Sequence, residues 1–155
     1  MTHIFISYSS KDESIARQLY SAISGLGIEP FLASISLQPG SQWSKEILSS
    51  LKKAQWVLFL ASESACQSQA VQQELGAAVI SGKEIIPIIL DIEPEQLPAW
   101  IKELQAIDIR NGNVEELREV LKGIANKIRW DQVTTALLIG AIIGVIAGVM
   151  LSRAK

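Results

Sequence analysis

Few side chains in this 155-residue chain have types suited to catalysis, and they are scattered. The one histidine, His3, stands ahead of the first apolar run, so activation of a nucleophile by imidazole has little to work with. The one cysteine, Cys66, permits no internal disulfide, and without a CxxC or a Cys/His cluster there is no metal-ligand spacing; a reducing compartment fits this usage. No GxxxxGK[ST] phosphate loop, HExxH, GxSxG or GxGxxG follows the first strand, which removes most familiar enzyme classes. What remains is a carboxylate, Glu74, in "SQAVQQELGAAVISG", on a helix that leaves an apolar strand. By type and spacing alone it reads as a solvated helix glutamate.

The elements that would position it are regular. Short apolar runs, "IFISY" (4–8), "IEPFL" (28–32), "WVLFLA" (56–61), "IIPIIL" (85–90) and "AIDI" (106–109), alternate with amphipathic stretches. That alternation predicts parallel strands joined by crossover helices. "DESIARQLYSAISGLG" places Ile15, Leu19, Ala22, Ile23 and Leu26 on one stripe and stops at glycine. "SQWSKEILSSLKKA" does the same with Trp43, Ile47, Leu48 and Leu51. "SQAVQQELGAAVISG" uses Val71, Leu75, Ala78 and Val79, and "NVEELREVLKGIANKI" uses Val114, Leu117, Leu121, Ile124 and Ile128. The expected fold is α/β, a flavodoxin-like doubly wound five-stranded parallel sheet, with its working loops after Tyr8, Leu32 and Ala61.

A net charge of −2 offers no basic field for phosphate neutralisation, so a nucleic-acid partner is not expected. The N-terminus lacks a basic start followed by a long apolar stretch, unlike a signal peptide. Near the C-terminus, residues 133–151 contain no charge, and at helical rise they extend about 28 Å, close to a bilayer's hydrocarbon core. Trp130, Lys127 and Arg129 precede this run, and Arg153 and Lys155 follow it. The expected organisation is a domain over 1–128, a juxtamembrane link over 129–132, a single transmembrane helix over 133–151 and a short basic tail over 152–155. The domain would then lie in the cytoplasm. Gly140, Gly144 and Gly148 recur every fourth residue, a spacing that suits either helix pairing in lipid or a plain anchor. The run carries no polar stripe for lining a pore.

Three ordered motifs give the chain a resemblance to the Toll/interleukin-1 receptor (TIR) domain family. "FISYSSKDE" (5–13) resembles the family's opening strand and first loop. "LQPGSQWSKEI" (37–47) is similar to its BB loop, and "LASESACQSQAVQQEL" (60–75) to the strand, loop and helix that hold its catalytic glutamate. The resemblance covers roughly residues 1–128. It implies cleavage of NAD+ at the nicotinamide glycosidic bond, NAD+ being substrate and no cofactor or metal being required. Glu74 matches the catalytic position. A carboxylate hydrogen-bonded to ribose hydroxyls stabilises the positive charge that builds as nicotinamide leaves, and a leaving group that is already cationic needs no general acid.

By the same resemblance Ser9, Ser10, Lys11 and Ala70 line the substrate pocket, and Trp43 is either a pocket wall or core. Pro39 and Gly40 of the BB loop mediate homo-oligomerisation, to which Gly140, Gly144 and Gly148 would add. Two positions depart from the family pattern. Ala70 stands four residues before Glu74, where many of the hydrolases carry an aromatic, and Ala33 follows the second strand where an acidic residue is common. The implied roles are therefore two: a membrane-anchored bacterial effector cleaving NAD+ on assembly in antiviral defence, or a non-enzymatic scaffold gathering other TIR proteins at the membrane.

Overall fold

The computed structural model describes residues 2–24, 28–32, 49–99, 107–108 and 132–153, the last helix with its side chains over 136–149. The expected Trp43, Pro39, Gly40 and Ala33, the helix over 113–128 and most of the link before 132 lie outside the described residues. Strand β1 (Thr2–Ser7) leads through a 3₁₀ turn (Ser10–Asp12) into helix α1 (Glu13–Ser24). β2 (Ile28–Leu32), a helical segment α2 (49–53) and β3 (Trp56–Ala61) follow. Then come α3 (Glu63–Gln67), α4 (Gln69–Ile80), β4 (Glu84–Ile89), β5 (Ile107–Asp108) and the C-terminal helix α5 (Gln132–Arg153).

Among the described residues the strands form one five-stranded sheet in the order β2-β1-β3-β4-β5, every neighbouring pair parallel. This is the doubly wound order expected from the alternating pattern. It puts β1 between β2 and β3, so that the chain winds away from β1 in both directions and leaves a crevice at the carboxyl ends. β3 is buried along all six residues, which explains a continuous apolar run instead of an alternating one.

Alternation within β1 divides the core. Ile4, Ile6 and Tyr8 face one layer with Ala16, Leu19 and Ile23 of α1. Phe5 faces the other with Phe59 of β3 and with Val71, Leu75 and Ala78 of α4. Phe5 and Phe31 are register partners on β1 and β2, and their rings stack at 5.3 Å.

The C-terminal helix corrects an expectation. Rather than standing clear of the domain, α5 lies along α1, and Leu138, Ile139, Ile142, Ile146 and Val149 are buried in the same apolar layer as Ile4, Leu19 and Trp56. Among the described residues no helix is long and apolar enough to cross a membrane. Leu138, Ile142 and Ile146 recur every fourth residue and are joined by Val149, a single helical face, which is what covering a sheet demands. Each fully buried aliphatic side chain there contributes about 2 kcal/mol of apolar burial. Gly140, Gly144 and Gly148 lie on the exposed side of α5, lining an open groove of about 1120 Å³ against Glu13, Arg17 and Ser21 of α1.

Candidate active site

The carboxyl edge of the sheet is tied together by short polar side chains. The Ser9 hydroxyl accepts from the Lys11 amide at 3.3 Å and starts the 3₁₀ turn after β1. After β3, the Ser62 hydroxyl accepts from the Ala65 amide at 3.1 Å, capping α3, and donates to Asp12 in the first loop. The Glu63 amide donates to Asp91 Oδ1 at 3.0 Å, joining the loop after β4. Three consecutive strand ends are thus pinned to one another. Through the Ser62 contact Asp12 joins two loops.

Helix α4 starts with Ser68 in extended backbone geometry, its hydroxyl accepting from the Val71 amide at 3.3 Å. From that start the helical period brings Val71, Glu74, Leu75 and Ala78 to the buried side. Glu74 is therefore not solvated: it is 3 % exposed. Its Oε2 accepts from the Ser7 hydroxyl at 3.0 Å, and its Oε1, also buried, has no hydrogen-bond partner among the described residues. Burial pushes the Glu74 carboxyl up to about 8, while the Ser7 bond works in the opposite direction by favouring the charged form. A carboxyl held this way is mostly neutral at pH 7 and ionises at the edge of the physiological range.

Ser9, Ser10 and Lys11 do come together, lining an open cavity of about 280 Å³ with Ser64, Gln67 and Ser68. The cavity lies between the loop after β1 and the start of α4, the elements that flank Ser7 and Glu74 in sequence. It offers hydroxyls, an amide and one ammonium, a lining suited to a polar, anionic ligand. Glu74 and Ala70 are not part of that lining. Ala70 is half-buried one turn ahead of Glu74. Burial first, and then Asp91, push the Cys66 thiol up, so it does not have the character of an activated nucleophile. His3 falls inside β1, not ahead of it, and pairs with Glu29 at 3.4 Å at the opposite, amino end of the strand.

The sequence reading missed two features. Ser64, Gln67 and Ser68 belong to a polar run, "SESACQS", between a strand end and a helix start, and that position in a doubly wound sheet was the available signal. Ser7 lay concealed in an apolar strand. The burial of Glu74 was legible in principle, since it sits three residues after Val71 and four before Ala78. Val79, assigned to the stripe instead, is 48 % exposed.

A parallel sheet in this order defines a flavodoxin-like α/β domain. A sequence profile of the TIR domain family matches residues 4–122, and the chain belongs to that family. It is 33 % identical over 96 residues to a Brachypodium distachyon protein named "Probable 2' cyclic ADP-D-ribose synthase BdTIR"; the match covers 61 % of this chain and 43 % of that protein. The chain thus spans less than half the length of this curated relative. Among solved structures it resembles the TIR domain of the Toll-related receptor TRR-2 of Hydra magnipapillata, with a TM-score of 0.63 and 17 % identity over 82 % of this chain and 98 % of that one. It also resembles the TIR domains of the activated Roq1 resistosome, with a TM-score of 0.52 and 16 % identity over 94 % of this chain and 84 % of that one. At such identities the structural likeness shows the fold.

Proposed function

We propose that this TIR domain cleaves NAD+ at the bond between nicotinamide and ribose, with Glu74 as the catalytic carboxylate. The observation that carries the reading is the buried Glu74 carboxyl, one oxygen held by Ser7 and the other without a partner among the described residues, at the carboxyl edge of the sheet. Similarity to a plant protein named as a cyclic ADP-ribose synthase supports it. As the C1′–N bond breaks, its electron pair leaves with nicotinamide and cancels the pyridinium charge, while positive charge develops on the ribose. The ionised Glu74 carboxylate accepts hydrogen bonds from the ribose hydroxyls and stabilises that state. Water then adds at C1′ and releases a proton, giving ADP-ribose; capture by a hydroxyl of the same molecule gives a cyclic product instead. Lys11 and the serines around it would receive the pyrophosphate.

Association completes the site in this reading, through Pro39 and Gly40 and through a second copy or another TIR protein. Attachment at a membrane, with the domain on the cytoplasmic side, rests in this reading on the uncharged run over 133–151 alone. Gly140, Gly144 and Gly148 would then form its pairing face. Antiviral defence is the setting that accompanies such an effector in the family.

A second reading, a scaffold without catalysis, is favoured by Ala70, whose methyl group offers no surface for stacking a nucleotide base. The two separate on nicotinamide release from NAD+ by the chain in solution and clustered on liposomes. Release that Glu74→Ala abolishes supports the enzyme, and silence in both states supports the scaffold.

A further inference from the structure

β1 is the strand from which the sheet winds in both directions, and its buried residues Ile4, Phe5 and Ile6 are apolar. Ser7, fully buried at the end of that strand, is the exception. Packing alone would favour a β-branched or aromatic residue there, and a hydroxyl taken out of water without a partner is costly. What Ser7 meets is Glu74, 3.0 Å away and contributed by a helix beyond β3. The contact engages Oε2 alone and leaves Oε1 buried without a partner among the described residues. A carboxyl turns about its last bond with little resistance, so either oxygen of an unheld glutamate could face a ligand.

We propose that Ser7 is a positioning residue, whose hydroxyl fixes the plane of the Glu74 carboxyl through Oε2 and reserves Oε1 for a hydroxyl of the substrate ribose. The proposal rests on the reading of Glu74 as the group that meets the ribose. Ser7 has a second effect through the same contact: a donor to the carboxylate favours ionisation, opposing burial and keeping the reactive form within reach near neutral pH.

The test follows the Glu74 carboxyl directly by carbon NMR titration of the full chain, beside the pH profile of nicotinamide release. Removing the donor with Ser7→Ala should raise the titration midpoint by about one pH unit and carry the pH profile with it. It should lower kcat at neutral pH by about tenfold or more, with KM changed far less. Ser7→Thr, which keeps a hydroxyl, should bring midpoint and rate back toward wild type. If Ser7→Ala does not fold, Ser7→Cys, nearly isosteric and a weak donor, should give the same direction of shift. A folded Ser7→Ala or Ser7→Cys whose Glu74 titration does not move overturns the proposal, whatever happens to NAD+. A wild-type chain silent toward NAD+, in which Ser7→Ala still moves the midpoint, overturns the NAD+ reading and leaves the hold of Ser7 on Glu74 standing.

Discussion

Ser7 and Glu74 are 67 positions apart in sequence, yet the hydroxyl of one donates to the carboxyl of the other at 3.0 Å in the interior of the domain. β1 supplies the donor and α4 the acceptor, and the parallel order of the sheet makes them neighbours at its carboxyl edge. Glu74 shares the buried side of α4 with Val71, Leu75 and Ala78, so its charge state matters to the fold as well as to chemistry.

Stability should fall with rising pH because of this group. The folded-state value of about 8 lies above the ordinary 4.5, so between those limits the unfolded chain sheds a proton that the native state keeps. The stabilisation is complete below about pH 4.5, declines as pH rises and is lost through pH 8. Glu74→Gln removes the titration while keeping the shape. Its unfolding free energy relative to wild type should grow by an amount on the order of 3 kcal/mol between pH 5 and pH 8. Urea unfolding at the two pH values measures it, and a pH-independent difference would mean that Glu74 is solvated.

The loops around the cavity depend on Ser62, which is buried, caps α3 and donates to Asp12. Ser62→Ala should cost about 1–2 kcal/mol in unfolding free energy. Hydrogen exchange at the Ala65 amide should quicken more than exchange in the strands; equal protection of that amide in both proteins would contradict the cap.

Two substitutions in α5 distinguish its faces. Leu138 is fully buried, and Leu138→Ala should cost about 2–4 kcal/mol in aqueous unfolding. A Cβ added at Gly144 meets nothing within 4 Å, so Gly144→Ala should be neutral or stabilise by up to about 1 kcal/mol through helix propensity. A helix that does not rest on the sheet would make Leu138→Ala as mild as Gly144→Ala.

Much of the fold was legible because a parallel sheet buried on both faces requires continuous apolar runs. β2 and β3 coincide with the apolar runs, while β1 and β4 are offset by one or two residues. α3 was not legible, since five residues between the capping serines Ser62 and Ser68 are too few to display a helical period. The seat of α5 was not legible either, because a charge-free run is equally at home in lipid or on a sheet. The face formed by Leu138, Ile142, Ile146 and Val149 is distinguished only by what lies opposite it. For the candidate site, Ser9, Ser10 and Lys11 were indicated by the family resemblance of the loop after the first strand. Ser7 was not, since a lone hydroxyl inside an apolar run declares no partner until the helix carrying Glu74 is folded over it.

The central claim is that Glu74, once ionised, carries cleavage of NAD+. The most direct measurement is kcat/KM for nicotinamide release from pH 6 to pH 9, with the protein clustered on liposomes and Glu74→Ala run in parallel. The account predicts a rise of about tenfold per pH unit below pH 8, a plateau above it, and a flat background for Glu74→Ala. Release that is independent of pH across this range, or undiminished by Glu74→Ala, would contradict it.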